Sequence, residues 1–291
     1  FANATVLKNF TIPQTVTSIG EGAFYEDSAL TEMYIPDGVT DIKSYTFYGC
    51  TNINKLVIGK NVKNIGDYAF YNNSSLTSLN IPEKVASIGA SAFNGCSQIK
   101  EIIIPDSVTE LGEYAFSSDS NATKLSIGSG ITTIPSYAFA NCSALTTVTV
   151  PNTVTTINAA AFIGCSSLNE ITLPFVGQSR TATGPESAFG YIFGTSSYAG
   201  STATKQYYYG RTASSSTATT YYIPTSLKSV TITGGNILYG AFYGCSGLTS
   251  ITVPDNITSI GNYAFAYCGS LTNITLPKNI MSIGSHAFLY C

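Results

Sequence analysis

Apolar side chains recur along the chain with a period of 23 residues. A phenylalanine stands at every 23rd position from Phe1 to Phe162, and the same spacing returns from Phe242 to Phe288. After each phenylalanine, apolar residues follow at plus six, nine and eleven, and a Pro or Gly comes next. A β-branched residue then stands at plus fifteen, and Ile or Leu at plus eighteen. A fixed period of this length is typical of a repeat architecture in which each repeat forms one coil.

Within each repeat the pattern predicts two strands and one turn. The segment L-T-x-I-x-I-P alternates apolar and polar residues as a strand does, and Pro or Gly ends it. The segment V-T-x-I-G predicts a second, shorter strand. The segment G-x-x-A-F-x-x-C turns the chain while Ala and Phe point inward, and we expect one helical or 3₁₀ turn there.

One repeat cannot fold alone. Burying its six or seven apolar side chains contributes about 2 kcal/mol each, whereas ordering the chain costs roughly 1.5 kcal/mol for each residue. Stacked repeats join their strands into parallel sheets and their inward residues into one continuous core. The sequence therefore predicts a solenoid of about twelve coils.

The period is interrupted once, between Phe162 and Phe242. An Ala-Phe pair returns at Phe189, and the strand pattern resumes at Leu227. A linker between independent domains would not keep the apolar pattern in register with the repeats before it. Because the pattern resumes in register here, we interpret this region as an expanded repeat. The prediction is one solenoid domain over residues 1–291, with regular repeats at 1–174 and 225–291 and the expanded repeat with its insertion at about 175–224.

The insertion contains a tyrosine-rich stretch, KQYYYGRTASSSTATTYYIP, from Lys205 to Pro224. Its two halves predict a hairpin with a Ser/Thr-rich tip. Rigid amphipathic rings beside small polar residues are typical of recognition loops, and tyrosine rings also stack on sugar faces. The alternative is a lid whose tyrosines lie back over the solenoid core. The candidate partner-binding residues of the insertion are Tyr207, Tyr208, Tyr209, Arg211, Tyr221 and Tyr222.

A second candidate surface is the outward position of the first strand, ten residues after each phenylalanine. Most repeats carry small or polar residues there, but Tyr34, Val57 and Ile103 are large and apolar or aromatic. These three residues would suit a protein-binding patch, although they are scattered. The alternative is a solvated strand face of residues that favour strand formation.

Charge excludes several classes of partner. Charged residues are 10% of the chain, with 13 Lys and Arg against 16 Asp and Glu, for a net charge of -3. This balance does not favour nucleic acid or an anionic membrane surface as a partner. No apolar run approaches the roughly 20 residues that span a bilayer, and the first residues lack the features of a signal peptide. The chain starts and stops inside a repeat without a polar cap, so we expect a piece of a longer protein, with any export signal outside it.

All seven cysteines stand three residues after a repeat phenylalanine, where other repeats place Ala, Asn or Asp. This pattern predicts a structural ladder in which a small polar side chain bonds a neighbouring backbone group. Disulfides between adjacent coils or a metal site are the alternatives. The odd number of cysteines, and the lack of a C-x-x-C pair or a histidine cluster, favour the ladder over both. The ladder cysteines are Cys50, Cys96, Cys142, Cys165, Cys245, Cys268 and Cys291.

Residues for catalysis are sparse. His286 is the single histidine, and it stands where other repeats carry tyrosine, so we interpret it as a stacking surface ring. No Ser-His-acid set forms without it, and no glycine-rich phosphate loop follows a strand. We therefore predict no catalytic residues, no metal, no cofactor and no enzyme activity.

The repeats resemble the BspA-like leucine-rich repeats of bacterial and protozoan cell-surface proteins. The matching stretches are SLTSLNIPEKVASIGASAFNGCSQI at 75–99 and GLTSITVPDNITSIGNYAFAYCGSLTNITLP at 247–277. The resemblance implies an α/β fold, a right-handed leucine-rich-repeat solenoid with parallel β ladders and short helical or 3₁₀ turns. It also implies an extracellular or cell-surface module, here expected as a monomer, that binds protein or glycan partners such as a host surface or matrix. The alternative function is a structural spacer or stalk that presents other domains.

Overall fold

Most repeats form one coil with two short parallel strands, which confirms the strand prediction. The computed structural model describes residues 1–8, 10–208 and 218–291. These residues form two compact units, Phe1–Leu145 and Thr146–Cys291. The single domain over 1–291 stays a prediction.

The first unit consists of paired strands one repeat apart. Its strands are β1 (Glu32–Tyr34), β2 (Asp41–Ile42), β3 (Lys55–Val57), β4 (Asn64–Ile65), β5 (Ser87–Ile88), β6 (Glu101–Ile103), β7 (Glu110–Leu111), β8 (Lys124–Ser126) and β9 (Thr133–Ile134). The first segment of the repeat gives the parallel pairs β1–β3 and β6–β8, and the second gives the parallel sheet β2–β4–β5–β7. Met33 pairs with Leu56, 23 residues later, so the register equals the period.

The second unit keeps the same ladder across the insertion. Its strands are β10 (Thr147–Thr149), β11 (Thr156–Ile157), β12 (Glu170–Leu173), β13 (Ser201–Tyr207), β14 (Ala218–Pro224), β15 (Ser229–Ile232), β16 (Ser250–Thr252), β17 (Ser259–Ile260) and β18 (Ser282–Ile283). The parallel sheet runs β10–β12–β15–β16, and β17 pairs with β18. Because β12 pairs directly with β15, the insertion leaves the ladder and returns in phase, as the sequence predicts.

The inserted hairpin is β13 paired antiparallel with β14, which confirms the hairpin prediction. Thr204 pairs with Tyr221 and Tyr207 with Ala218. The predicted Ser/Thr tip at 209–217 lies outside the described residues.

The Ala-Phe segment forms stacked turns rather than the expected helical or 3₁₀ turn. The amide of Ala69 bonds the Gly66 carbonyl within its own coil at 3.3 Å, whereas the next amide, Phe70, bonds the Ala92 carbonyl of the following coil at 2.7 Å. A continuous helix directs successive amides to carbonyls of its own segment, whereas here the amides of Tyr68, Phe70 and Asn72 all bond carbonyls of the following coil. Within the described residues, 3₁₀ turns occur only in the expanded repeat, at Gly184–Ser187 and Phe189–Phe193.

Each unit has a column of buried phenylalanines at its centre. In the first unit the rings of Phe24, Phe47 and Phe70 stack in order, with centroids 5.1 and 5.3 Å apart. In the second unit Phe189 lies 4.9 Å from Phe242, so the predicted Ala-Phe pair of the expanded repeat does enter the column. One continuous core of this kind makes each unit a parallel β-solenoid.

Candidate functional site

The inner face of the hairpin is buried against the expanded repeat. Strand alternation directs Tyr221 and Ile223 inward, and Tyr221 is only 2% exposed. Its hydroxyl donates a hydrogen bond to the Pro185 carbonyl at 2.8 Å. A side chain on Gly190 would collide with Tyr221, so the glycine permits this close approach. Tyr221 was a candidate for partner binding, and the structure corrects that assignment because the ring does not reach the surface.

Gln206 joins the hairpin to the coils on either side of it. Its Oε1 accepts a hydrogen bond from the Gly190 amide at 2.6 Å, and its Nε2 donates to the carbonyls of Ala241 and Tyr243 at 3.2 and 3.3 Å. In the regular repeats, the carbonyls equivalent to those of Ala241 and Tyr243 accept hydrogen bonds from backbone amides of the preceding coil. The Ala241 carbonyl keeps the regular hydrogen bond from the Phe189 amide at 2.9 Å, whereas at the Tyr243 carbonyl the Gln206 carboxamide takes the place of such an amide. The inner half of the hairpin is a lid over the core.

The outer side of the hairpin extends a row of tyrosines on the turn edge of the second unit. The Tyr207 ring meets the Tyr243 ring edge to face at 4.7 Å. Tyr243 and Tyr267 follow at 5.2 Å, and Tyr267 and Tyr290 at 5.1 Å. Tyr267 is 42% exposed. The hairpin is thus both a lid and part of an aromatic edge.

A second row of rings runs beside the first. Tyr239 lies 5.7 Å from Tyr263, and Tyr263 stacks on His286 at 4.9 Å with the ring planes 3° apart. This contact confirms that His286 is a stacking ring. We call the two rows together the aromatic surface, which consists of Tyr207, Tyr239, Tyr243, Tyr263, Tyr267, His286 and Tyr290.

Several of these rings occupy backbone positions that favour glycine. Tyr263 and Tyr267 have φ angles of 56° and 62°, and Gly240 and Gly244 hold the matching turn positions one coil earlier. A non-glycine residue in this left-handed region costs roughly 1–2 kcal/mol. Contacts between neighbouring rings offset part of that cost. Strained backbone positions cluster at functional sites, so large exposed rings at such positions are a reason to propose a binding role.

The phenols of Tyr239 and Tyr243 are neutral at neutral pH. Burial, followed by the neighbouring Tyr267 and Tyr207, raises the pKa of Tyr243 to about 12. Burial also raises the pKa of Tyr239. The Lys205 ammonium lies 5.4 Å from the centroid of the Tyr207 ring, a cation–π contact at the hairpin end. Recognition here would rest on ring area and phenol hydrogen bonds rather than on ion pairs.

The remaining candidate partner-binding residues of the insertion fall into two groups. Tyr207, Tyr208 and Tyr222 are half-buried on the hairpin. Tyr209 and Arg211 lie outside the described residues. Of the predicted set, Tyr207 belongs to the aromatic surface.

The strand-face candidates lie in the first unit, and two of the three are neighbours. Tyr34 and Val57 are register partners on β1 and β3, whereas Ile103 lies on β6 in a separate sheet. The Tyr34 hydroxyl donates to Glu32 at 2.9 Å, and the Lys55 ammonium lies 5.1 Å from the Tyr34 ring centroid. Tyr34 is therefore held by its own neighbours, and the partner-binding role of the three residues stays a prediction.

The cysteine position faces a carbonyl of the coil before it. The Cys50 thiol donates to the Phe24 carbonyl at 3.0 Å, and the Cys96 thiol donates to the Phe70 carbonyl at 3.3 Å. Asn73 occupies the same position, and its amide donates to Phe47 at 2.8 Å. None of the seven cysteines, all of them among the described residues, forms a disulfide, and burial raises the pKa of Cys50 to about 12.

The described residues hold no cluster of three or more His, Cys, Asp or Glu side chains that could bind a metal ion. In that part of the chain, none of the helices has the length and apolar character to cross a bilayer.

Sequence reasoning missed most of the aromatic surface. Tyr243 follows a repeat phenylalanine by one position, where tyrosine recurs as Tyr48 and Tyr71, and Tyr267 follows one by two positions, as Tyr290 does. That recurrence was the available signal. Nothing in the sequence predicted the contact between Tyr207 and Tyr243, because this contact depends on how the hairpin docks on the coils.

The sequence model of the BspA type leucine rich repeat region matches the chain in six copies, over residues 1–122, 63–191 and 213–291. A leucine rich cell surface protein from Faecalibacterium prausnitzii has a similar structure, with 28% identity over 97% of this chain and 72% of that chain, and a TM-score of 0.55. A leucine-rich repeat protein from Bacteroides ovatus is 22% identical over 98% of this chain and 85% of that chain, with a TM-score of 0.49. No curated protein matches the chain.

Proposed function

The chain belongs to the BspA-type leucine-rich repeat family, and we propose that it is a non-catalytic recognition module of the cell surface that binds a protein partner through its aromatic surface. The observation that carries the proposal is the pair of ring rows on the second unit. Exposed tyrosines at the centre of a patch are enriched among residues that dominate the energy of protein interfaces.

Ring geometry favours a protein over a sugar at this surface. Tyr263 and His286 stack face to face, so their neighbouring faces are already covered. A sugar ring prefers an open aromatic face, whereas a protein surface can pack on ring edges and accept hydrogen bonds from phenol hydroxyls. A glycan is the second candidate partner.

Location at the cell surface is part of the proposal. It is supported by the similarity to the Faecalibacterium prausnitzii cell surface protein. The same regular coils would also serve a spacer that presents other domains, and the binding experiment separates the two functions.

The test measures binding of the purified chain to a panel of purified host extracellular-matrix proteins by biolayer interferometry. In the double variant Tyr243→Ser, Tyr267→Ser, loss of two central rings is expected to weaken binding at least about tenfold, a change of about 1.4 kcal/mol. The matched control is Tyr45→Ser, Tyr114→Ser in the first unit, where the two rings are each 37% exposed and also have positive φ angles. The control is expected to bind like the parent.

Two results would contradict the proposal. Equal loss in both double variants would show that the aromatic surface has no special role. A folded parent that binds no protein of the panel, and no glycan of a matching panel, would favour the spacer. Deleting the hairpin is a poorer test, because Gln206 and Tyr221 hold it against the core and its removal would uncover buried groups.

A further inference from the structure

We propose a second binding site, an open groove on the first unit that accepts a neutral glycan chain. The groove crosses the sheet β2–β4–β5–β7 and has a volume of about 540 Å³. It belongs to a different unit from the aromatic surface and does not depend on the function proposed there.

The floor of the groove lacks side chains over three consecutive coils. Gly66, Gly89 and Gly112 occupy one position of successive repeats, and a Cβ on any of them would strike backbone atoms of the coil before. Close packing of the coils therefore requires glycine. The glycines leave a channel that runs from coil to coil, with the Asp67 carboxylate over Gly89, where it accepts a hydrogen bond from the Ala90 amide at 2.7 Å.

One wall of the groove is a chain of hydrogen-bonded polar side chains. Asp41, Asn64, Ser87 and Glu110 are register partners on adjacent strands. The Asn64 amide donates to Asp41 Oδ1 at 2.6 Å, and the Ser87 hydroxyl donates to Asn64 Oδ1 at 2.8 Å. These contacts hold the side chains of Asp41, Asn64 and Ser87 in fixed positions, while the second amide hydrogen of Asn64 and lone pairs on the oxygens stay free for a ligand.

The charge of the groove selects against anions. Asp41, Asp67 and Glu110 line it, and Lys43 is the single cation among the described lining residues. Hydrogen bonds from Asn64 and Thr40 lower the pKa of Asp41, so this carboxylate stays ionised at neutral pH. Acidic polysaccharides and nucleic acid would be repelled, whereas carboxylates are strong acceptors for the hydroxyl groups of a neutral sugar.

The spacing of the wall suits a linear glycan. Successive coils are roughly 4.8 Å apart, which is close to the length of one sugar ring in an extended chain. Each coil can thus offer one polar side chain to one sugar unit. Pockets for drug-like molecules are mostly apolar, and this wall of carboxylate, amide and hydroxyl groups is instead matched to a ligand rich in hydroxyls.

An extended basic peptide fits the groove less well. The four strands are paired side by side, so the inner strands offer no free edge to which a peptide could add as a strand. The isoleucines of this sheet, Ile42, Ile65 and Ile88, point into the core and leave no apolar pocket for a peptide side chain.

The experiment titrates the full chain with short neutral oligosaccharides of the cello, xylo, manno, malto and chito series by isothermal calorimetry. Ser87→Arg places a long side chain across the middle of the groove, and Glu110→Arg does so at one end without breaking the wall's hydrogen bonds. Asn80→Arg is the matched control, because Asn80 is exposed on the same repeat as Ser87 and is not one of the residues that line the groove. Circular dichroism and melting curves check that each variant is folded.

We expect at least one neutral series to bind, with at least about tenfold loss in Ser87→Arg and Glu110→Arg and parent-like affinity in Asn80→Arg. Absence of binding by the folded parent would overturn the proposal, as would parent-like binding in both groove variants. Oligogalacturonate and a Lys-rich peptide are titrated in parallel. If either binds instead of the neutral sugars and loses affinity in Ser87→Arg, the groove takes a different class of ligand.

Discussion

Replacing Asp119 by asparagine is expected to stabilise the first unit increasingly as the pH rises. Asp119 occupies the cysteine position of its repeat, between Cys96 and Cys142 in the neighbouring repeats. It is fully buried, and neither carboxyl oxygen has a hydrogen-bond partner. The cysteine and asparagine residues at this position donate to a carbonyl of the preceding coil, as Asn73 does to Phe47 at 2.8 Å. An ionised carboxylate has no hydrogen to donate there.

The sign of the effect follows from the pKa of Asp119. Burial raises this pKa well above its usual range, and the nearby Cys96 backbone opposes the rise only in part. Below the unfolded pKa of about 3.9, both states are protonated and Asp119 costs no stability by ionisation. As the pH rises further, the unfolded state ionises first, so the parent loses about 1.4 kcal/mol for each pH unit until the folded pKa is reached. The amide introduced by Asp119→Asn does not titrate, so the stability difference between variant and parent widens with pH until the folded pKa of Asp119 is reached.

The assay is urea unfolding followed by circular dichroism, at several pH values from about 4 upward and at constant ionic strength. The reciprocal variant, Asn73→Asp, is the matched control in the same position of another coil. Asn73→Asp is expected to lower the free energy of unfolding, and this free energy should fall further as the pH rises. Parallel pH profiles for the parent and Asp119→Asn would refute the reasoning, because they would show that Asp119 has equal pKa values in both states.

Three further outcomes follow from the second unit and the cysteines. Gln206→Leu leaves the Gly190 amide and the Tyr243 carbonyl without their partner, and a loss of roughly 2 kcal/mol in unfolding free energy is expected, with faster hydrogen exchange at Gly190. Gly240→Ala places a methyl group against the Tyr207 carbonyl at a φ of 60° and should lower the melting temperature, whereas Gly247→Ala has no heavy atom within 4 Å and should not. Six of the seven thiols are buried, and iodoacetamide at mildly alkaline pH is expected to label only Cys291 in the folded chain and all seven in urea; labelling of Cys50 without denaturant would contradict this.

The repeat sequence by itself determines the coil, its register and its core. A pattern that returns every 23 residues places equivalent residues at equivalent points of successive coils, so Met33 meets Leu56 and the phenylalanines form a column. The same repeat spacing predicted that Phe189 enters the phenylalanine column and that the parallel sheet continues at β15, after an insertion that interrupts the 23-residue period. Local pattern suffices for these features because each depends only on residues one coil apart.

The turn hydrogen bonds, the aromatic surface and the groove could be identified only from the tertiary structure. The turn segment bonds alternate amides to the next coil, and a sequence pattern cannot distinguish this arrangement from a helical turn with the same inward residues. Tyr221 points inward and Tyr207 outward because the hairpin docks through Gln206 onto coils far away in sequence. The groove likewise needs three glycines and a polar wall to be stacked before it exists. Such features arise from contacts between distant segments, and their energies depend on how whole elements pack rather than on any local period.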